Sequence, residues 1–191
     1  MFTGIVEELG KVKRVLRSGR TTILELAAQK TLEDTKVGDS IAVNGVCLTV
    51  ISLSNSSFSF EVMAETFKKT NLRLLRVGEK VNLERSLKLG DRVSGHFVSG
   101  HIDCLGLVSR KGIFGGNMVF EIAMPNSFLR YCLPKGSLSL DGISLTIAER
   151  RANILSIYVI PHTLKNTTLS FKGPSDKLNI ECDILAKRST A

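Results

Sequence analysis

The run Ser57-Phe58-Ser59-Phe60-Glu61-Val62 alternates polar and apolar positions without a break, so Phe58, Phe60 and Val62 share the buried face of a β-strand. Looser alternation predicts six strands in the first half, over residues 9–15, 21–26, 40–43, 47–52, 57–62 and 80–84. Lys36-Val37-Gly38-Asp39, Asn44-Gly45 and Val77-Gly78-Glu79 supply turns between them. A second series follows at 104–109, 118–123, 137–140, 144–148, 155–160 and 177–182, with Gly115-Gly116-Asn117 as a hairpin turn. Six short strands at this spacing suggest a small closed barrel, and the chain holds two such sets. Helical signals are few: residues 64–75, bounded by Gly78, are the best candidate, and 32–35 are too short to judge. The polar stretch 85–94, with Gly90-Asp91, reads as a linker. The chain divides into a barrel at 1–90, a barrel at 91–184 and a short tail at 185–191.

The two series are copies. Asn44-Gly45-Val46-Cys47-Leu48-Thr49-Val50 returns 97 residues later (141 − 44) as Asp141-Gly142-Ile143-Ser144-Leu145-Thr146-Ile147. At the same offset Val62, Thr66, Lys68, Thr70 and Leu72 meet Val159, Thr163, Lys165, Thr167 and Leu169, and Lys80, Asn82 and Glu84 meet Lys177, Asn179 and Glu181. Upstream the offset is 96, where Gly4, Leu9, Gly10 and Val12 meet Gly100, Leu105, Gly106 and Val108. Repetition held along the whole chain is the mark of a tandem duplication.

Composition narrows the field. The chain has 191 residues and 43% hydrophobic content, enough for two small cores. Its start shows no basic region followed by an apolar run, and no stretch approaches the ~18 apolar residues of a membrane span, so a cytoplasmic protein is expected. Cys47, Cys104, Cys132 and Cys182 form no Cys-x-x-Cys pair, which points to reduced thiols and no metal; His101-Ile102-Asp103-Cys104 lacks a second ligand pair. The net charge of +8 raises the idea of nucleic-acid binding. Scattered Lys and Arg, 6% aromatics and no Trp argue against it.

A small barrel leaves little room inside, so chemistry is expected at its mouth or between barrels. Cys47 and Thr49 flank Leu48 as Ser144 and Thr146 flank Leu145, which puts each polar pair on one face. A polar arrangement kept twice favours a binding surface over idle strand-edge hydroxyls. Thr66 and Thr163 follow a strand in both copies; they either cap a helical turn or hydrogen-bond a polyol or heterocycle edge. His96, His101 and His162 are the three histidines. The counterpart of His101 is Ile5, a divergence that fits one copy specialised for proton handling.

Taken in order, Met1-Phe2-Thr3-Gly4-Ile5-Val6-Glu7, the Asn44 to Val50 run, Ser99-Gly100-His101-Ile102-Asp103 and Asp141-Gly142-Ile143-Ser144-Leu145-Thr146 resemble the riboflavin synthase family across nearly the whole chain. The resemblance implies an all-β protein of two six-stranded antiparallel Greek-key barrels. It implies an enzyme that dismutates two molecules of 6,7-dimethyl-8-ribityllumazine into riboflavin and a ribitylamino-pyrimidinedione, with no cofactor or metal. It also implies a homotrimer whose productive site lies between subunits, with association with lumazine synthase as a further partner, and no nucleic acid or membrane. A non-catalytic lumazine- or flavin-binding antenna protein of the same fold is the alternative.

By that resemblance the first site comprises Gly4, Ile5, Val6, Cys47, Leu48, Thr49, Glu61, Val62, Met63, Ala64, Glu65 and Thr66. The second comprises Gly100, His101, Ile102, Lys135, Ser144, Leu145, Thr146, Ile160, Pro161, His162, Thr163, Leu164 and Lys165. The implied catalytic contributors are Phe2, Ser40, Cys47, His101, Ser144, Thr146 and Asp183. His101 and Ser144 would move protons at the methyl and ring carbons, Cys47 with Ser40 would serve the partner ring, and Phe2 would pack on the stacked rings. The family's C-terminal helix helps hold its trimer; here only Arg188 to Ala191 follow residues 183–187, too few for an isolated helix, so either a truncated tail or weaker association is expected.

Overall fold

The computed structural model describes residues 1–19 and 21–189; positions 190 and 191 of the tail lie outside the described residues. The first half forms β1 (Glu8–Ser18), β2 (Thr21–Ala27), β3 (Ser40–Val43), β4 (Val46–Leu53), β5 (Ser57–Met63) and β6 (Lys80–Arg85). The second forms β7 (Cys104–Phe114), β8 (Asn117–Ala123), β9 (Ser137–Leu140), β10 (Ile143–Arg151), β11 (Ile154–Val159) and β12 (Lys177–Cys182). Each set closes into an antiparallel barrel, the first in the order β1-β2-β5-β4-β3-β6 and the second in the matching order. Because β2 pairs with β5 rather than with β3, the connection is a Greek key.

All twelve strands fall where alternation places them, but β1 and β7 run on to Ser18 and Phe114. The register shifts after Val12 and after Val108, and a bulge resets which side chains face inward, so the apolar pattern stops while the ladder continues. Matching shifts follow Val50 and Ile147, so even the irregularities are duplicated. Leu24, Leu26, Phe58 and Phe60 fill the first barrel and Phe120, Ile122, Leu138 and Leu140 the second, all fully buried. Each such side chain contributes about 1.5–3 kcal/mol by leaving water. The barrels are packed cores, not pockets.

The helix expected over 64–75 is interrupted. α1 (Ala64–Lys69) stops at Thr70, and a single 3₁₀ turn follows at Asn71–Leu74. Thr70 Oγ1 donates to the Thr66 carbonyl at 2.8 Å, and the Asn71 N–H donates to Asn179 Oδ1 of the other barrel at 2.7 Å. Side-chain and inter-barrel bonds replace the next helical ones. α2 (Pro161–Asn166) ends the same way, with Thr167 Oγ1 donating to the Thr163 carbonyl. The tail begins with α3 (Ile184–Ser189), which is not isolated. Asp183 Oδ1 accepts from the Leu185 N–H at 2.9 Å, and Lys187 pairs with Asp103 at 2.7 Å, so tertiary contacts hold a turn too short to persist alone.

The barrels meet about an approximate two-fold axis, across which equivalent residues touch each other. Phe2 and Val98 exchange backbone hydrogen bonds of 2.7 and 3.0 Å. Gly45 and Gly142, at φ +77° and +78°, stack so closely that a Cβ on Gly45 would lie 2.6 Å from the Gly142 nitrogen. A buried amide network closes the joint: Asn82 Nδ2 donates to the Asp141 carbonyl and to Thr168 Oγ1, and Asn179 Nδ2 donates to the Asn44 carbonyl and to Asn71 Oδ1.

Candidate active site

The segments that lead into the two barrels are exchanged. The Ser144 N–H of β10 donates to the Gly4 carbonyl at 2.8 Å, and the Cys47 N–H of β4 donates to the Gly100 carbonyl at 2.9 Å. A side chain at either glycine would collide with the strand it meets: a Cβ on Gly100 would lie 2.4 Å from Cys47 Cβ, and one on Gly4 2.7 Å from Ser144 Cβ. Downstream, Ile102 packs on the first core and Val6 on the second. The expected grouping is therefore corrected. Gly4, Ile5 and Val6 belong with the second barrel, and Gly100, His101 and Ile102 with the first. Equal repeat offsets could not reveal this, because both arrangements produce the same sequence pattern.

On the first barrel, β4 alternates as expected, with Leu48 and Val50 buried and Cys47, Thr49 and Ile51 on the outer face. Cys47, Leu48, Thr49, Ile51, Glu61, Met63 and Thr66 line a cavity of about 510 Å³, together with Thr21. The cavity lies on the outside of the strands rather than at the barrel mouth, since the interior is full. Ser40 pairs directly with Thr49 across β3 and β4, which brings it to the same surface. Val62 does not reach it: its side chain is fully buried in the core. Exposed Glu65 is paired with Lys69 at 2.8 Å along α1. Neither threonine caps its helix: α1 and α2 have no side-chain cap, and Thr66 and Thr163 lie inside them.

The second barrel repeats the surface with different chemistry. Ser144 and Thr146 share the outer face of β10, Ser137 pairs with Thr146 as Ser40 does with Thr49, and Ile160 is exposed where β11 gives way to α2. Pro161, His162 and Lys165 are exposed on α2, whereas Leu164 packs on the core. Leu145 is partly buried against that core, and Lys135 sits in a turn whose N–H donates to the Ile147 carbonyl. Asp183 caps α3 at the edge of this surface.

His96 was not among the candidates, yet it is the histidine that engages Ser144. Its Nδ1 lies 2.7 Å from Ser144 Oγ, and its Nε2 is buried with no partner among the described residues. Burial holds its pKa below the usual imidazole value, opposed by the charges of Asp183 and Glu181, so the ring is neutral at pH 7. Glycine at 95 permits the close approach: a Cβ there would lie 2.0 Å from the Thr3 carbonyl and 2.8 Å from Ser144 Cβ. His101 does not join Ser144, as the resemblance had implied; its loop lies against Cys47. Phe2 is also corrected, being fully buried with Ala42 and Val98 against Cys47 rather than open to a stacked ring.

The structure thus presents two equivalent outer surfaces, each with a hydroxyl or thiol pair and each completed by the other barrel's lead-in. The lumazine binding domain model matches residues 3–86 and again 99–183. The chain is 42% identical to riboflavin synthase of Bacillus subtilis over 98% of its length and 87% of the relative's. The chain belongs to the riboflavin synthase family. It is also 43% identical to riboflavin synthase of Mycobacterium bovis, over 98% of this chain and 95% of the relative. Among solved structures, LumP complexed with riboflavin superposes with a TM-score of 0.88 at 25% identity, covering 95% of this chain and 99% of that one. LumP complexed with 6,7-dimethyl-8-(1'-D-ribityl) lumazine does so at 0.86 and 24% identity, a likeness of fold. The family relation and the duplicated frame explain why an enzyme of this kind carries its polar pairs twice.

Proposed function

We propose that the chain is a riboflavin synthase that dismutates two molecules of 6,7-dimethyl-8-ribityllumazine, one held on each barrel, into riboflavin and a ribitylamino-pyrimidinedione. The observation that carries this reading is the pair of equivalent outer surfaces, at Cys47-Thr49 and Ser144-Thr146, on one duplicated frame. Donor and acceptor are the same compound, so two similar sites are what the reaction needs. Electrons stay within the substrate pair. Holding the rings face to face, with the acidic methyl of one against the electrophilic carbon of the other, lowers the barrier by up to ~7–11 kcal/mol.

The residues then divide the proton traffic unequally. Neutral His96 is placed to take the Ser144 hydroxyl proton, making that pair the proton acceptor of the second half-site. Cys47, Ser40 and Thr49, with His101 beside them, serve the ring on the first. The exposed Met63 and Ile160, each at the rim of its surface, favour a productive site covered by a neighbouring subunit, as in a homotrimer. No helix among the described residues is long and apolar enough to cross a membrane, and the reaction belongs in the cytoplasm.

Incubation of the purified chain with the lumazine, without cofactor and with a chelator present, tests the reading. One riboflavin should appear for every two lumazines consumed. Tight binding without product would make the chain an antenna protein instead.

A further inference from the structure

Two buried carboxylates form no hydrogen bond with either polar pair among the described residues, although the charge of Glu181 bears on His96. Glu84 in β6 and Glu181 in β12 are equivalent positions in the last strand of each barrel, and both are nearly fully buried. Among the described residues neither takes a hydrogen bond from a lysine or arginine. Glu181 Oε1 accepts from the Ser99 N–H at 2.6 Å and the Ser99 hydroxyl at 2.7 Å, and its Oε2 accepts from the Gly100 N–H at 2.9 Å. Glu84 repeats the set on the other lead-in, accepting from the Thr3 N–H at 2.7 Å, the Thr3 hydroxyl at 2.8 Å and the Gly4 N–H at 3.1 Å. Burial pushes the Glu84 pKa up, and the amide donors of Thr3, Gly4 and Ile5 pull it back.

Such a carboxylate is an expensive way to staple a loop. Leaving a charge in the interior costs several kcal/mol unless donors surround it. Three convergent donors demand an acceptor-only group, because an amide at the same place would turn its own NH₂ onto one of them. The loop so held is the exchanged one. Gly100, bonded to Glu181 through its N–H, receives the Cys47 N–H on its carbonyl, and the next residue, His101, donates its N–H to Ser99 Oγ at 3.2 Å. Gly4 stands between Glu84 and Ser144 in the same way, with Ile5 next.

We propose that Glu84 and Glu181 are positioning residues for the reaction, each rooted in one barrel and fixing the lead-in that completes the other barrel's half-site. Glu181, a residue of the second barrel, therefore sets the placement of His101 over the Cys47 surface of the first, and Glu84 sets Ile5 over the Ser144 surface of the second. The effects of changing them are crossed between barrels, which a merely local staple does not produce.

The inference rests on the reading of the two surfaces as lumazine half-sites, and its test includes a readout independent of turnover. In the full chain, iodoacetamide labelling of Cys47, followed by peptide mass spectrometry with and without dimethyl-ribityllumazine, reports occupancy of the first half-site. Glu181→Gln should lower kcat about 10–100-fold, the scale of an ~1 Å misplacement. It should also abolish protection of Cys47 by the lumazine, whereas Glu84→Gln should lower kcat and leave that protection in place. Wild-type kcat and protection in folded Glu181→Gln, or loss of protection in Glu84→Gln in its stead, would overturn the proposal. If Glu181→Gln does not fold, Ser99→Ala and Ser99→Thr decide. Ser99→Ala should lower kcat and weaken protection at temperatures well below its melting point, and Ser99→Thr, which installs the residue found at Thr3, should restore both. Ser99→Ala indistinguishable from wild type would overturn it. Should the wild-type chain bind lumazine but form no riboflavin, the functional reading fails, and the protection experiment still judges the positioning.

Discussion

The two barrels share strand order and bulges, yet their surfaces carry different proton-bearing groups. On the second, Ser144 is bonded to half-buried His96, whose ring feels the charges of Asp183 and Glu181. On the first, Cys47 takes the serine's place, and the histidine nearby is exposed His101, delivered by the other half of the chain. In the proposed reaction the duplicated frame supplies two matching seats for identical molecules, and divergence at a few positions decides what happens to each. The barrel ends diverge as well. In the first, Glu7 is paired with Arg85 at 2.6 Å, and the guanidinium beside it holds that carboxyl below the usual range against the opposing effect of burial. The equivalent end of the second has Asp103 paired with Lys187 of α3 and a thiol at Cys182 in place of Arg85, so the tail does there what a strand residue does in the first.

The comparison breaks most severely at His96. His96→Gln should lower kcat about 10²–10⁴-fold with little change in KM. In the wild type, activity should fall as acidity protonates the neutral ring, with the midpoint below the ordinary histidine range because burial depresses that pKa. Steady-state riboflavin formation across pH should show that acid limb in the wild type and lose it in the variant. Less drastic is His101→Ile, which gives the first half-site the residue its counterpart has at Ile5. A fall in kcat of about 10–100-fold is expected, with the Ser144 side untouched. An unchanged rate would make the histidine a passenger.

At the joint, Gly45→Ala should destabilise the chain by about 2–4 kcal/mol in denaturant unfolding, since the new methyl meets the Gly142 backbone and the +77° φ is strained for alanine. A stability effect that depends on pH is expected at Asp141, which stands where the first copy has Asn44. Its carboxyl is fully buried, Oδ2 has no partner among the described residues, and burial pushes its pKa from 3.8 up to about 7. The unfolded chain ionises near pH 4 while the folded chain keeps the proton, so stability falls from about pH 4 and levels off above about pH 7, by at most about 1.4 kcal/mol per pH unit. Asp141→Asn should remove that slope and stabilise the chain at pH 8 but not at pH 4, which paired thermal melts would show.

Alternation and the repeat placed every strand, because period-two burial and turn chemistry are local. Where α1 stops was not legible, since the bond that ends it comes from Asn179, 108 residues away. Cys47, Thr49, Ser144 and Thr146 could be picked out because they recur on one strand face. The partnership of His96 with Ser144, the burial of Phe2 and the crossing of the lead-ins depend on which barrel a loop packs against. A symmetric sequence pattern is silent on that choice, and only contacts such as Gly100 to Cys47 decide it.

In the proposed site each half is a hybrid of both barrels and holds one lumazine. A crystal structure of the chain with 6,7-dimethyl-8-ribityllumazine bound tests it most directly. One ring is expected on the Cys47-Thr49 surface with the His101 loop against it, and another on the Ser144-Thr146 surface with Ile5 against it. A ligand seated elsewhere, such as the outer cavity of about 400 Å³ beside Arg110 and Tyr158, or one held on β4 with the 99–102 loop making no contact, would contradict it.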